Sequence, residues 1–227
     1  MCFSASASFI SSSILVTIGT VSMVKSRTAP QKVLAGMPLL FAAQQFCEGF
    51  VWLSVNDPSF MWVRYQAMYA FLIMAQVGWP LFIPLCVFLI EKEPGRKKLL
   101  SYFLISGLVT GIYFAWCLIR FDAHIAVSPY HIQYDLDFPL SKRWFYGIIY
   151  FIPAMLPTFI SSIRRMNVLG ALLLCSYLIS RFCYKDYIVS VWCFFGALSS
   201  ITALFIILQL VKEDKIVKLN EPEIITK

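Results

Sequence analysis

Phe41-Ala-Ala-Gln-Gln-Phe-Cys-Glu-Gly-Phe-Val-Trp52 lies inside an apolar run long enough to cross a membrane, yet it carries Gln44, Gln45 and Glu48. At helical spacing Gln44 and Glu48 stand four apart, Gln45 and Glu48 three, and Glu48 and Trp52 four. One broad helix face accommodates all of them. A carboxylate at bilayer depth costs at least a few kcal/mol, so it reads by default as a functional site. The competing reading is an ion pair with Arg64, Arg120 or Arg181, because buried charges are normally paired.

The composition places the rest of the chain around that run. Of 227 residues, 59% are hydrophobic and 14% charged, and the mean hydropathy is +0.75. Soluble domains run roughly 45–50% apolar and about 25% charged. The chain therefore belongs to the membrane class, with no room for a sizeable soluble domain. The net charge of +7 sits between apolar runs, where it sets topology rather than attracting nucleic acid. No basic leader with a cleavage site opens the sequence, so a removable signal peptide is not expected.

Seven spans follow, each near the roughly 20 residues a bilayer requires. They run about Ala5 to Val24, Val33 to Val55, Met61 to Ile90, Leu99 to Ile119, Trp144 to Ile163, Asn167 to Tyr184 and Ile188 to Val211. Pro80 and Pro84 supply a kink for the long third span. Arg120 to Arg143 reads as a polar loop holding both histidines, His124 and His131. The expected fold is an all-α integral membrane protein, a seven-transmembrane-helix bundle over 1–211. A charged, solvated tail follows over 212–227.

Orientation comes from Lys and Arg, which favour the cytoplasmic side. One side collects Lys25, Arg27, Lys32, Lys92, Arg96, Lys97, Lys98, Arg164, Arg165 and the tail lysines. The other has only Arg64, Arg120, Lys142, Arg143, Arg181 and Lys185. The N-terminus is thus expected outside and the C-terminus in the cytoplasm. Glu48 then falls in the outer half of its helix. His131, Cys2, Trp192, Cys193 and Arg64 fall near the same outer level, and an outward-opening site lined by these residues is expected.

Several segments occur in order: Met1-Cys-Phe-Ser-Ala5, Gln44-Gln45 with Glu48-Gly49 and Val51-Trp52, Trp79-Pro80, His131-Ile132-Gln-Tyr134, and Ser190-Val-Trp-Cys-Phe-Phe195. Together they resemble an uncharacterised family of multi-pass membrane proteins of bacteria and archaea. The resemblance spans nearly the whole chain and implies a prokaryotic cytoplasmic membrane. It confers no activity, but it highlights Cys2, Gln44, Gln45, Glu48, Trp79, His131, Trp192 and Cys193.

Three chemistries suit these residues. Cys2, Glu48, His131 and Cys193 make a thiolate, carboxylate and imidazole set fit for zinc. Cys2, with His131 as base and Glu48 beside it, makes a thiol nucleophile, or Cys2 and Cys193 form a disulfide. Without catalysis, Glu48 with Gln44, Gln45, Trp52, Trp79, Trp192 and Arg64 makes a binding site in a sensor or carrier. That site would take a small cationic or hydrogen-bonding molecule arriving from the outer side. The only other partner expected is the lipid bilayer.

Overall fold

The computed structural model describes residues 4–128, 131–139 and 144–220. Among them, seven helical rods make a bundle. The first is α1 (Ala5–Lys25) and the second α2 (Ala29–Asn56). The third joins a 3₁₀ turn (Pro58–Val63), α3 (Arg64–Leu72), a π turn (Ile73–Gly78) and α4 (Trp79–Ile90). Then come α5 (Pro94–Arg120), α6 (Trp144–Ile160) and α7 (Arg164–Cys183). A 3₁₀ turn (Lys185–Tyr187) leads into the last rod, α8 (Ile188–Ser199) and α9 (Ile201–Asn220). By length and composition, five stretches can cross a membrane: Ala5–Lys25, Pro58–Ile90, Pro94–Arg120, Arg164–Cys183 and Ile188–Ile216. A shorter apolar helix, Gly147–Ile160, accompanies them. α2 is long enough, but its Gln, Glu and Lys residues keep it outside this set.

α2 is the hub. It touches α1, α3, α4, α8 and α9, and its polar residues Gln31, Gln44, Gln45 and Glu48 are buried while Phe46 is exposed. Such an inside-out helix is stable only where neighbours answer its polar groups. It starts at Ala29, earlier than the apolar run suggests, because Thr28 and Gln31 form a capping box with Pro30 in the first turn. Ser12 of α1 donates to the Ala42 carbonyl at 2.8 Å and fixes the α1–α2 register.

The third rod bends where its prolines predict, through a π turn. The Trp79 N–H reaches back to the Met74 carbonyl. Pro80 has no N–H, so the Ala75 carbonyl loses its helical donor. Tyr150 of α6 supplies the replacement, its hydroxyl donating to Ala75 O at 2.6 Å. One turn on, Pro84 likewise leaves the Pro80 carbonyl without a helical N–H. α5 passes tightly there: a Cβ on Gly107 would lie 2.1 Å from Pro80 O.

Three differences from the sequence reading have physical causes. The polar loop contains an antiparallel hairpin, β1 (Ala123–Ser128) with β2 (His131–Leu136), pairing Ala123 with Leu136 and Ser128 with His131. Its period-two alternation buries Ile132 and Tyr134, and Tyr134 stacks on Phe71 at 4.7 Å. α7 opens at Arg164, three residues before the Asn167 start expected for the sixth span, so Arg164 and Arg165 form its first turn. The expected solvated tail is helical through Asn220, tied down by Asp214, which takes Gln31 Nε2 at 2.9 Å and Lys92 Nζ at 3.3 Å.

Asp214 belongs to a wider clasp at that end. Arg96 donates to the Ile160 carbonyl at 2.8 Å. Buried Glu91, just past α4, receives the Ser162 hydroxyl at 2.6 Å and the Ser162 N–H at 2.7 Å. The turns at 25–28, 91–93 and 161–163 and the end of α9 thus gather at one end of the bundle. The hairpin and the 3₁₀ turn before α8 gather at the other.

Tyr150→Phe is expected to cost about 1–3 kcal/mol, by leaving the Ala75 carbonyl buried and unanswered. Gly107→Ala is expected to cost a similar amount, about 1–3 kcal/mol, through overpacking against backbone. Both are read by denaturant unfolding in detergent, and wild-type stability in either variant would contradict this account.

Burial raises the Glu91 pKa, but the Ser162, Glu93 and Ser161 hydrogen bonds outweigh it and hold the carboxyl below its ordinary value. A folded pKa below the unfolded one gives stability that is complete above the unfolded value, about 4.3 for Glu, and is lost as pH falls through the folded value. The melting temperature should therefore drop on acidification through that window. Glu91→Gln should flatten the drop, and an unchanged pH profile in that variant would reject the assignment.

Candidate functional site

α2 and α8 run antiparallel where their polar residues meet. Two cross-links form, one turn apart. Gln44 Nε2 donates to Cys193 Sγ at 2.9 Å, and Ser190 Oγ donates to Glu48 Oε1 at 2.5 Å. Gln44 is also held from α4, whose Trp79 Nε1 donates to Gln44 Oε1 at 2.9 Å. An indole N–H can only donate, so Trp79 fixes which end of the amide is oxygen and turns the NH₂ toward Cys193. Gln45 Nε2 donates to Glu48 Oε2 at 3.3 Å. The result is a buried ladder, Trp79–Gln44–Cys193 and Gln45–Glu48–Ser190, that joins α4, α2 and α8 in the bundle interior.

The sequence singled out most of these residues. Ser190 belongs to the same Ser-Val-Trp-Cys motif, one helical turn before Cys193, but a serine in an apolar run carries no signal that sets it apart from the others. The three arginines considered as partners for Glu48 stand elsewhere. Arg64 donates to the Ser54 carbonyl at 2.5 Å and to its hydroxyl at 3.3 Å, while Arg120 and Arg181 are exposed. His131 is half-buried in the hairpin and stacks on Tyr187 at 4.6 Å. Partial burial pulls its imidazole below the ordinary value. Cys2 lies outside the described residues, and Cys193 carries a free thiol. Among the described residues, no three His, Cys, Asp or Glu side chains come together as a metal site, so Glu48, His131 and Cys193 do not form one.

Some polar capacity along this seam is left over. Gln45 Oε1, Trp52 Nε1 and Ser8 Oγ are buried with no hydrogen-bond partner among the described residues. Gln45, Glu48 and Trp52 follow one stripe of α2. The packing of Phe9 on Gly49 sets Ser8 of α1 at the same level. Buried donors and acceptors of this kind call for a small polar molecule or water.

A pocket opens against the other edge of the ladder. Its empty space is about 360 Å³, partly open, and its walls include Met37, Phe41, Trp79, Tyr150, Trp192 and Cys193. Phe41 stacks on Trp79 at 3.9 Å, and Tyr150 meets Trp192 edge-on at 5.4 Å. A Cβ on Gly196 would meet the Phe41 ring at 2.8 Å, so that glycine is what lets the ring in. Trp79 of α4 and Trp192 of α8, both marked by the sequence, line this pocket.

Ser190→Ala is expected to destabilise the fold by roughly 1–3 kcal/mol, since Glu48 loses a buried donor. Gln44→Leu should cost as much or more, because it leaves Trp79 Nε1 without its acceptor. Thermal unfolding in detergent decides, and a neutral Ser190→Ala would mean that the ladder does not hold α8.

The sequence matches the model of a family of unknown function, DUF6629, over residues 1–217. Neither a curated protein nor a solved structure matches it.

Proposed function

We propose, for a chain that belongs to the DUF6629 family and takes no assigned activity from it, that it is a seven-span membrane protein whose interior binds a small molecule at Glu48. The observation that carries this reading is the setting of that carboxylate. Glu48 has no exposed surface and accepts from Ser190 and Gln45. Beside it, Gln45, Trp52 and Ser8 keep buried polar atoms available. A small ligand that donates and accepts hydrogen bonds answers those atoms beside the carboxylate.

The span count rests on α2 and α6 crossing beside the five apolar stretches, with α2 sheltered by its neighbours. The basic turns and the Asp214 clasp gather at one end, which the charge rule assigns to the cytoplasm. The hairpin with His131 then covers the outer end, and the ligand enters from there. The role is that of a sensor or carrier rather than an enzyme. The thiol in the ladder, Cys193, is buried and bonded to Gln44, and His131 packs on Tyr187 instead of beside it.

Titration with ammonium and guanidinium salts, followed by tryptophan fluorescence, tests the proposal. The wild type is expected to give a saturable response, and Glu48→Gln to fold but lose it. No response in the wild type, together with an unfolded Glu48→Gln, would make Glu48 a helix lock instead.

A further inference from the structure

We infer that the groove between the start of α7 and the end of α9 binds an anionic phospholipid of the cytoplasmic leaflet, its phosphate held by Arg165 and Lys212. This inference is separate from the Glu48 reading and uses only α7 and α9 as spanning helices. Both lie in stretches long and apolar enough to cross a membrane. Where the apolar runs give way to charge, Arg165, Leu208, Gln209, Lys212, Glu213 and Ile216 line an open groove with about 740 Å³ of empty space. Two exposed apolar stripes lead to it. On α7, Val168 and Leu172 stand three and seven residues after Arg165. On α9, Phe205 and Leu208 stand seven and four residues before Lys212. At those spacings each stripe shares a helix face with its cation. Exposed apolar faces of spanning helices meet acyl chains, so a lipid lying along them brings its head to Arg165 and Lys212.

The charges suit a phosphate. Arg165 Nη1 donates to the Phe205 carbonyl at 2.7 Å, which ties the guanidinium to α9. The rest of its planar fork matches phosphate oxygens, which it can bind by two parallel bonds. Lys212 is exposed. Glu213, the carboxylate on the groove wall, accepts from Gln209 Nε2 at 2.7 Å, and Asp214 is taken up by Gln31 and Lys92 in the clasp. Two cations against one carboxylate leave the groove positive, and exposed Arg164 and Lys215 flank it in sequence. Basic pockets between spanning helices on the cytoplasmic side suit anionic head groups. A free phosphate would use the cations alone. Leu208 and Ile216 in the same groove, with the stripes beside it, favour a lipid.

The test uses the full chain in a maltoside detergent, with phosphatidylglycerol binding followed by native mass spectrometry. Phosphatidylglycerol is expected to bind saturably, one per chain, and roughly tenfold more tightly than phosphatidylcholine of the same chain length. Lys212→Gln should weaken it about fivefold, the worth of one lysine beside an anionic head, and Lys212→Arg, which keeps the charge, should bind as the wild type does. Lys98→Gln removes an exposed cation that does not line the groove and should leave binding unchanged. Thermal unfolding in detergent checks that all three variants fold. An equal loss in Lys212→Gln and Lys98→Gln would overturn the inference, because the lipid would then read overall charge. Equal binding of the two lipids, or none of either, would overturn it too. Displacement of phosphatidylglycerol by an equal concentration of inorganic phosphate would reduce the groove to a simple anion site and reject the lipid.

Discussion

An indole nitrogen has one hydrogen to give and nothing to accept, and the centre of this bundle is ordered by that asymmetry. Trp79 binds Gln44 by its oxygen, which leaves the amide NH₂ of Gln44 to face α8 and meet Cys193. With α8 held at that register, Ser190 arrives opposite Glu48 one turn along. The buried carboxylate, the thiol and the aromatic walls all take their places from it. In an apolar medium, where no water stands ready to replace a lost partner, such a chain is specified more sharply than packing alone allows.

The backbone follows the same logic. Two prolines four residues apart strip donors from the third rod, and the helix answers with a π turn and with groups borrowed from its neighbours. Tyr150 reaches the carbonyl at Ala75, and Gly107 makes room for the one at Pro80. The kink is therefore also a junction. It draws α5 and α6 against α4 and sets the Tyr150 ring into the wall of the pocket.

Much of this was legible beforehand because helices in an apolar chain are written in long runs. Seven helical rods appear among the described residues, five of them with stretches long and apolar enough to cross a membrane, and Gln44, Glu48, Trp79 and Cys193 stand out as polar or aromatic residues in the apolar runs. What escaped the reading depended on distance in the chain. Nothing local to Tyr150 says that it serves a carbonyl on another helix. Nothing local to Ser190 marks it above the other serines. The hairpin was hidden for a different reason: its alternation of His131-Ile-Gln-Tyr-Asp-Leu136 is short, and charged residues at its flanks read as a loop. Helix ends shifted where capping, as at Thr28 and Gln31, outreached the apolar run.

The separation between Glu48 and its donor has a consequence for how the chain is made. Ser190 lies 142 residues after Glu48. At about 5–20 residues per second, a ribosome takes roughly 7–30 seconds to cover that distance. Through that interval the least apolar of the long helices exists without the helix that answers its carboxylate. α2 must then be sheltered by α1, which precedes it and already shares the Ser12–Ala42 contact. The first two helices make a natural early unit of folding, and the last helix completes the interior only when synthesis is nearly finished.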